Sequence, residues 1–428
     1  MNGLFGEQNL TDFLPEMLTG EELYRSMECL PEYNINIRNL CQANRLIALN
    51  DLYKIYLPNE MSVEIYSKLY LAMVRSLQKK STNTAIQQQY HNANKNLTAE
   101  TQGLIGGSDC FSIIGASGIG KSASISRAVS LLSKNGVIEF KNPYLKVIPC
   151  VIVQCPFDCS AKGLLLEILR VIDSHIGTSY FEKALKSRTT ADMMLSSVAQ
   201  VLLNHIGILI VDEIQNVVHH RNGRQLVSML TQLINSSGIS ICMVGTPEVE
   251  PFFSSVNYLA RRTLGLKYSP FHYGEYFEQF CKTLFEYQYV RNEPVLTEQM
   301  INWLYEHSNG TLALVVTIIH DAQEIAILNG KETIDIEVMN QAYQQRMGMI
   351  QGFVQPTITK RPQTSKVKKP SPVCPQAMSN TITDTITNTN DNTTTPVNLY
   401  ELSLTAKNTQ VDIVELLSKH IIIEEVVI

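Results

Sequence analysis

The stretch "FSIIGASGIGKSASISRAVSLL", residues 111–132, decides the fold class of this chain. It begins as an apolar run typical of a buried strand, passes through a glycine-rich turn and continues with apolar residues at helical spacing. The turn, "GASGIGKS" at 115–122, matches the phosphate-loop pattern G-x-x-x-x-G-K-[ST]. A chance glycine-rich turn is the alternative, but a preceding strand and a following helix are the context in which this pattern binds phosphate. The stretch therefore predicts a nucleotide site at the start of a helix.

Each residue type in this turn has a physical task. Gly115, Gly118 and Gly120 allow the backbone to bend until its N–H groups face an anion. We expect Lys121 to reach the β- and γ-phosphates and the hydroxyl of Ser122 to ligate magnesium. The positive end of the following helix also points at the phosphates. The predicted cofactors are ATP and Mg²⁺, and the predicted binding residues are Gly115, Ala116, Ser117, Gly118, Ile119, Gly120, Lys121, Ser122 and Ala123.

An acidic element follows about ninety residues later, in "ILIVDEIQNV" at 208–217. A buried strand that ends in Asp212 and Glu213 places two carboxylates at the edge of a sheet. The first can hold magnesium, generally through water, and the second can orient and polarise the attacking water. An acidic helix cap would explain one carboxylate. The two motifs in this order favour nucleotide hydrolysis.

Two further candidates for catalysis lie downstream. The strand in "ISICMVGTP" (239–247) ends in Thr246, whose side chain can contact the γ-phosphate or align the water, although threonine also begins turns well. Arg261 and Arg262 precede the last strand, in "YLARRTLGLKYSPF" (258–271). They are either a solvated basic helix end or an arginine finger that reaches the site of a neighbouring subunit.

The order of elements along the chain predicts an α/β fold. Five apolar runs alternate with helical patterns, as in a parallel sheet covered on both faces; they are 110–115, 147–155, 207–212, 239–245 and 263–269. Helical spacing also marks 45–58 and 62–80 before the sheet, and four stretches after it.

Changes in composition divide the chain into five parts. A helical N-terminal region, the nucleotide-binding core and a helical lid are followed by a linker rich in Pro, Thr, Asn and Ser and by an apolar C-terminal segment. The linker cannot bury enough apolar surface to order itself, and the last segment is expected to dock on a partner or fold back on the N-terminal helices. The predicted bounds are 1–98, 99–269, 270–350, 351–398 and 399–428.

Composition excludes some classes of protein. Hydrophobic residues make up 44% of the 428 residues and charged residues 18%, and the net charge of −5 argues against a protein coated in positive charge. Nine scattered cysteines without disulfide or zinc-finger spacing suit a reducing compartment. The start "MNGLFGEQNL" has no signal-peptide pattern and no apolar run is long enough to span a bilayer. We therefore expect a cytoplasmic protein without a membrane partner.

The order of these motifs resembles that of an AAA+ ATPase, with Walker A at 115–122, Walker B at 208–213 and sensor 1 near Thr246. More narrowly, the phrases "VDEIQNV" and "GTPEVEPFF…LARR" resemble the TnsC/TniB family of transposition ATPases. The resemblance covers about residues 100 to 350. It implies a five-stranded parallel sheet with ATP between subunits of a ring or filament on double-stranded DNA. The implied partners are a target-selection protein and the transposase, which such a protein recruits and activates.

The resemblance leaves three matters open. Many AAA+ lids carry a sensor 2 arginine at the start of a helix, but "SNGTLALVV" (308–316) offers none, which would suit slow, regulatory hydrolysis. Lys162, Lys183 and Lys186 are candidates for contacts to DNA phosphates without sequence preference, while solvated helix lysines are the alternative. A signalling or defence NTPase switch that acts on protein partners, or a helicase loader, is the alternative function.

Overall fold

The computed structural model describes residues 10–80, 110–141, 144–187, 190–254 and 265–346. The strands are β1 Cys110–Gly115, β2 Ile138–Lys141, β3 Tyr144–Gln154, β4 Ile206–Asp212, β5 Ser240–Gly245 and β6 Leu266–Tyr268. The α-helices are α1 Gly20–Met27, α2 Gln42–Ala48, α3 Glu60–Lys80, α4 Lys121–Leu132, α5 Ala161–Ile176, α6 Tyr180–Lys186, α7 Ala191–His205, α8 Asn216–His219, α9 Gly223–Ser237, α10 Glu250–Ser254, α11 Glu275–Glu286, α12 Glu298–Ser308, α13 Leu312–Leu328 and α14 Ile336–Arg346. Short 3₁₀ helices cover Leu10–Phe13, Ile35–Asn39, Leu49–Lys54 and Pro247–Val249.

The strands form one sheet in the order β2-β3-β4-β5-β1-β6. The five predicted strands are all present and pair in parallel, which confirms the predicted α/β class. The predicted strand count was wrong by one, because β2 adds a sixth strand at the edge, antiparallel to β3. An edge strand of four residues lacks the continuous apolar run of a strand buried on both faces, so the sequence pattern did not reveal it.

Both faces of the sheet are covered by helices. Along β4, Ile208 and Ile210 point into a core shared with α1, α3 and α4. Leu209 and Val211 point the other way, into the core shared with α5, α7 and α9. Successive strand residues alternate between faces, so a strand that is apolar at every position becomes the centre of a three-layer structure.

Parallel pairing brings the carboxyl ends of the strands to one edge. Ile114 of β1 pairs with Gly245 of β5, and Val211 of β4 pairs with Met243 of the same strand. The turn after β1 and the ends of β4 and β5 are therefore neighbours, although they are far apart in sequence. Ligands of open α/β sheets bind in the crevice at this edge.

Helices α11–α14, here called the lid, form a separate apolar core. Phe277, Leu304 and Ile319 are fully buried in it. Leu49 and Leu52 of the N-terminal region pack into the same core. The lid is therefore completed by residues that precede the sheet.

The N-terminal region is divided between two cores. Leu23 of α1 and Ile65 of α3 pack against the sheet, whereas the 3₁₀ helix Leu49–Lys54 packs into the lid. The helix expected over 45–58 ends earlier, since α2 stops at Ala48 and 3₁₀ geometry follows.

The predicted linker 351–398 and the C-terminal segment 399–428 lie outside the described residues. None of the helices in the described part of the chain combines the length and apolar character that crossing a bilayer requires.

Candidate nucleotide site

The turn after β1 has the backbone of a phosphate loop. Gly118 and Gly120 have φ of +80° and +98°, values that glycine adopts without a steric penalty. At Gly115 a Cβ would lie 2.7 Å from Ile119 Cδ1 and 2.9 Å from the carbonyl oxygen of Tyr268. The glycines are needed for left-handed geometry and close approach, and α4 begins directly at Lys121. The N–H groups of its first turn are those that an anion would meet.

Lys121 lies in the mouth of this loop with its side chain buried. Its Nζ donates hydrogen bonds of 2.7 Å each to the carbonyl oxygens of Gly115 and Ala116. Burial lowers the pKa of the Lys121 ammonium, and the negative charges of Asp212 and Glu213 oppose that shift. Two carbonyl oxygens, which carry only partial negative charge, thus hold the ammonium at the loop. A phosphate oxygen, which carries a full negative charge, can replace them as the hydrogen-bond acceptor.

Asp212 and Glu213 stand at the carboxyl end of β4, as predicted. Glu213 has φ of +57°, a left-handed conformation that is uncommon outside glycine and asparagine. Its backbone N–H donates to Asp212 Oδ1 at 2.8 Å. Burial raises the pKa of the Asp212 carboxyl, and the positive charge of Lys121 opposes that shift. Both carboxylates act electrostatically on Lys121.

Thr246 follows β5 and faces the same space. Its Oγ1 is buried and has no hydrogen-bond partner among the described residues. Thr246 precedes the 3₁₀ helix Pro247–Val249 without capping it through its side chain. A buried hydroxyl without a partner costs about 1–3 kcal/mol, so this group is suited to a ligand or a water in the cavity.

A cavity of about 400 Å³ unites these groups, a volume in the range of nucleotide-sized ligands. Its polar side is formed by the phosphate loop, Asp212, Glu213, Gln215 and Thr246. Its apolar side comes from the N-terminal segment and the lid, which the sequence did not assign to the site. These additional lining residues are Tyr53, Ile55, Tyr56, Leu57, Asn59, Met61, Tyr276, Phe280, Leu312, Ala313, Val316 and Thr317.

A hydrogen-bond network connects the N-terminal segment to the phosphate-loop helix. The hydroxyl of Tyr56 donates to Ser124 Oγ at 2.9 Å and is 2.6 Å from Ser62 Oγ. Ser124 Oγ also donates to the carbonyl oxygen of Gly120 at 3.0 Å. The segment that lines the apolar side is therefore fixed relative to the phosphate loop.

The same segment is bonded to the lid. Asn59 Nδ2 donates to the hydroxyl of Tyr276 at 3.1 Å, and that hydroxyl donates to the carbonyl oxygen of Leu57 at 2.9 Å. Asn59 and Tyr276 are far apart in sequence and share no local motif. The apolar side of the cavity could therefore be identified only from the folded chain.

The lid touches the phosphate loop directly. The backbone N–H of Ala313 donates to the carbonyl oxygen of Gly118 at 3.0 Å. A Cβ at Gly118 would lie 2.8 Å from Thr311 Cγ2. The start of α13 thus approaches the loop with small side chains and a backbone amide. This is the place where many AAA+ lids carry a sensor 2 arginine, which the sequence lacks here.

These residues fit a nucleoside triphosphate with magnesium. The loop glycines and Lys121 supply amide and ammonium donors to phosphate, while Ser122 and Asp212 supply the oxygen ligands that Mg²⁺ prefers. The apolar wall offers a surface for a base.

Three predicted lysines are absent from the described lining of this cavity, and two predicted arginines lie outside the described residues. Arg261 and Arg262 lie in the segment 255–264, outside the described residues. Lys162 is in the first turn of α5, and Lys183 and Lys186 are exposed on α6. Lys186 Nζ lies 3.5 Å from the carboxylate of Glu182.

Residues 105–253 match the family model described as an AAA domain. The chain therefore carries an AAA-type P-loop domain, which confirms the predicted fold class and supports nucleotide binding at the cavity. No protein of curated function matches the chain in sequence.

Three solved structures are among those to which the chain is similar. The Aeropyrum pernix ORC1 protein in complex with DNA is 14% identical, with a TM-score of 0.41 over 60% of this chain and 64% of that chain. The Aeropyrum pernix ORC2 protein, solved as ADPNP–ADP complexes, is 15% identical, with a TM-score of 0.44 over 70% and 71% of the two chains. Drosophila ORC bound to DNA is 12% identical, with a TM-score of 0.46 over 79% and 72%. This chain spans slightly less than two thirds of the ORC1 protein.

Proposed function

We propose that the protein is an ATPase that uses this site to hydrolyse ATP to ADP and phosphate. The observation that carries the proposal is the convergence of Lys121, Asp212, Glu213 and the buried Thr246 hydroxyl, which has no partner in the described part of the chain, on one cavity. Phosphoryl transfer to water needs a cation that binds phosphate, an oxygen ligand for magnesium, and a carboxylate that polarises the water. It also needs a hydroxyl that contacts the water or the γ-phosphate.

Each side chain has a separate role in this proposal. Lys121 exchanges its two carbonyl acceptors for β- and γ-phosphate oxygens. Ser122 and Asp212 hold the magnesium ion, which neutralises charge on the phosphates when bound. Glu213 orients and polarises the attacking water, and Thr246 contacts that water or the γ-phosphate.

We further propose that the ATPase serves as a regulator of transposition. The support is the resemblance of "VDEIQNV" and "GTPEVEPFF…LARR" to the TnsC/TniB family. The protein would assemble as a ring or helical filament on duplex DNA, receive a target-selection protein and activate the transposase. The absence of an arginine from the described start of α13, where Thr311 and Ala313 meet the loop, favours slow hydrolysis suited to a switch.

The first experiment tests hydrolysis. Glu213→Gln should retain ATP binding and lose hydrolysis, because the amide cannot polarise water. Glu248→Gln is the matched control, since this exposed carboxylate lies after β5 and pairs with His219 at 3.2 Å. Phosphate release at the wild-type rate from Glu213→Gln would remove the catalytic role of Glu213.

The second experiment tests DNA. Wild-type protein should form ATP-dependent oligomers on random duplex DNA, visible by electron microscopy, with affinity that falls steeply as salt rises. Lys162→Ala and the pair Lys183→Ala, Lys186→Ala should weaken binding, whereas Lys54→Ala, on the 3₁₀ helix Leu49–Lys54, should not. ATP hydrolysis without assembly on DNA would support the alternative of an NTPase switch for protein partners.

The third experiment tests the arginines. A subunit with Arg261→Ala and Arg262→Ala is mixed with a Lys121→Ala subunit. If the arginines act across the subunit interface, each chain supplies what the other lacks and part of the ATPase activity returns. No recovery at any mixing ratio would contradict a finger supplied in trans.

The fourth experiment tests the C-terminal segment. Deleting residues 399–428 should leave ATP hydrolysis and DNA binding intact while weakening recruitment of the transposase, because the segment is proposed as a tethered docking motif. Normal recruitment by the truncated protein would contradict that role. Loss of ATP binding would instead indicate that the segment folds back on its own chain.

A further inference from the structure

The side chain of Gln215 lies between the ends of two strands. The proposed reaction assigns it no direct role. Its Nε2 donates a hydrogen bond to Glu213 Oε2. Its Oε1 accepts a hydrogen bond of 3.4 Å from the backbone N–H of Thr246. Gln215 therefore bridges the carboxylate after β4 and the residue after β5.

The orientation of the Gln215 amide is fixed by these partners. An ionised carboxylate only accepts hydrogen bonds, and a backbone N–H only donates them. The amide can satisfy both in one orientation alone, with Nε2 on Glu213 and Oε1 on Thr246. The network itself determines which end is nitrogen.

The surrounding backbone makes room for this bridge. A Cβ at Gly245 would lie 2.9 Å from Gln215 Oε1 and 2.8 Å from Ile214 Cγ2. The backbone N–H of Ile214 donates to the carbonyl oxygen of Val244 at 2.9 Å, which ties the turn to β5. A small residue and a cross-strand hydrogen bond thus hold Gln215 at the strand ends.

Glu213 depends on such support. It is exposed, and its backbone is in the left-handed region. A free glutamate side chain at the surface samples several rotamers, whereas catalysis needs one. Gln215 supplies the side-chain hydrogen bond that selects the rotamer.

We propose that Gln215 is a positioning residue, which holds the Glu213 carboxylate toward the phosphates and couples it to the Thr246 turn. This inference rests on the proposed ATPase function. Gln215 lines the cavity, but in this role it acts on the rate of hydrolysis through Glu213 and not by binding the substrate.

The test compares two substitutions that separate the two hydrogen bonds. Gln215→Glu has the same shape and still accepts from Thr246, but it cannot donate to Glu213 at pH 8 and repels it. Gln215→Met keeps the volume and loses both bonds. We expect kcat to fall about tenfold to a hundredfold in both variants, at least as far for Gln215→Glu as for Gln215→Met. Binding of a fluorescent ATP derivative should change less than threefold.

A purely structural role predicts a different pattern. The polar, isosteric Gln215→Glu would then be the milder change, and thermal stability, nucleotide affinity and kcat would fall together. Asn216→Ala is the matched control, since Asn216 Nδ2 donates to the carbonyl oxygen of Cys155 at 3.0 Å and supports the same turn. It should lower stability while leaving kcat unchanged.

The outcomes distinguish the positioning role of Gln215 from the proposed ATPase function on which it rests. A wild-type protein that hydrolyses no ATP overturns both. Wild-type hydrolysis with unchanged kcat in Gln215→Glu and Gln215→Met overturns the positioning role alone. Loss of kcat with retained nucleotide binding, in the expected order and absent from the Asn216→Ala control, supports it.

Discussion

The ion pair between Arg45 and Glu332 provides a quantitative test of how the N-terminal region joins the lid. Arg45 is 1% exposed, and its guanidinium donates to the two carboxylate oxygens of Glu332 at 2.6 and 2.7 Å. Nη1 also donates to the carbonyl oxygen of Tyr289 at 3.0 Å. The hydrogen bonds from Arg45 lower the pKa of the Glu332 carboxyl.

Arg45→Met keeps the apolar stem and removes every one of these donors. Glu332, with a side chain only 15% exposed, then retains the backbone N–H of Arg291 at 3.2 Å. Removing one partner of a buried pair costs about 3–5 kcal/mol, and the remaining N–H places the expectation at the lower end, near 3 kcal/mol. This is a large part of the 5–15 kcal/mol that stabilises a typical native protein.

The assay is urea unfolding at pH 7 of Arg45→Met, Glu332→Gln and the double variant. A coupling free energy of about 1–3 kcal/mol is expected between the two sites. Arg25→Met is the matched control, because its pair with Glu21 is 82% and 88% exposed and such pairs contribute about 0–1 kcal/mol. A loss below about 1 kcal/mol for Arg45→Met, or strict additivity, would refute the reasoning.

The ion pair between Arg45 and Glu332 also predicts how the stability of the protein depends on pH. Because the pKa of Glu332 is lowered in the folded protein, its stabilisation is present above the ordinary glutamate pKa and is lost as pH falls through the folded value. Arg45→Met should therefore flatten the loss of stability in acid. An unchanged acid profile would indicate that the pair is not formed in solution.

Three further predictions concern single side chains. Lys121→Ala should abolish ATP binding measured by calorimetry while the fold survives, because the β- and γ-phosphates lose their cation; retained affinity would remove the phosphate-loop assignment. Burial lowers the pKa of Lys80 to about 7 from its ordinary 10.5, so between these values the unfolded chain binds more protons and stability should rise with pH, by at most about 1.4 kcal/mol per pH unit. Lys80→Met should remove that rise in urea unfolding, and a persistent rise would assign it to another group. Gly118→Val should weaken both folding and ATP binding, since a side chain at φ +80° would also collide with Thr311, and wild-type thermal stability would contradict the close approach of the lid.

The candidate site was predictable where its chemistry is local in sequence. Lys121, Ser122 and the loop glycines lie within one turn, and the run before Asp212 and Glu213 is apolar at every position. Because parallel strands place their carboxyl ends at one edge, the sequence alone assigns these two stretches to one site. The edge strand β2 was missed because a strand of four residues is too short to show a distinctive period.

By itself, the sequence determined the phosphate loop, the acidic strand end, the five parallel strands and the lid helices, since periodicity and glycine conformations are properties of neighbouring residues. The tertiary structure alone decided that Leu49 and Leu52 complete the lid, that Tyr56 and Asn59 line the cavity, and that Gln215 holds Glu213. These contacts join residues from separate elements through hydrogen bonds and apolar packing. Many pairings of this kind are compatible with one sequence pattern, and the free energy of the whole packed arrangement selects among them.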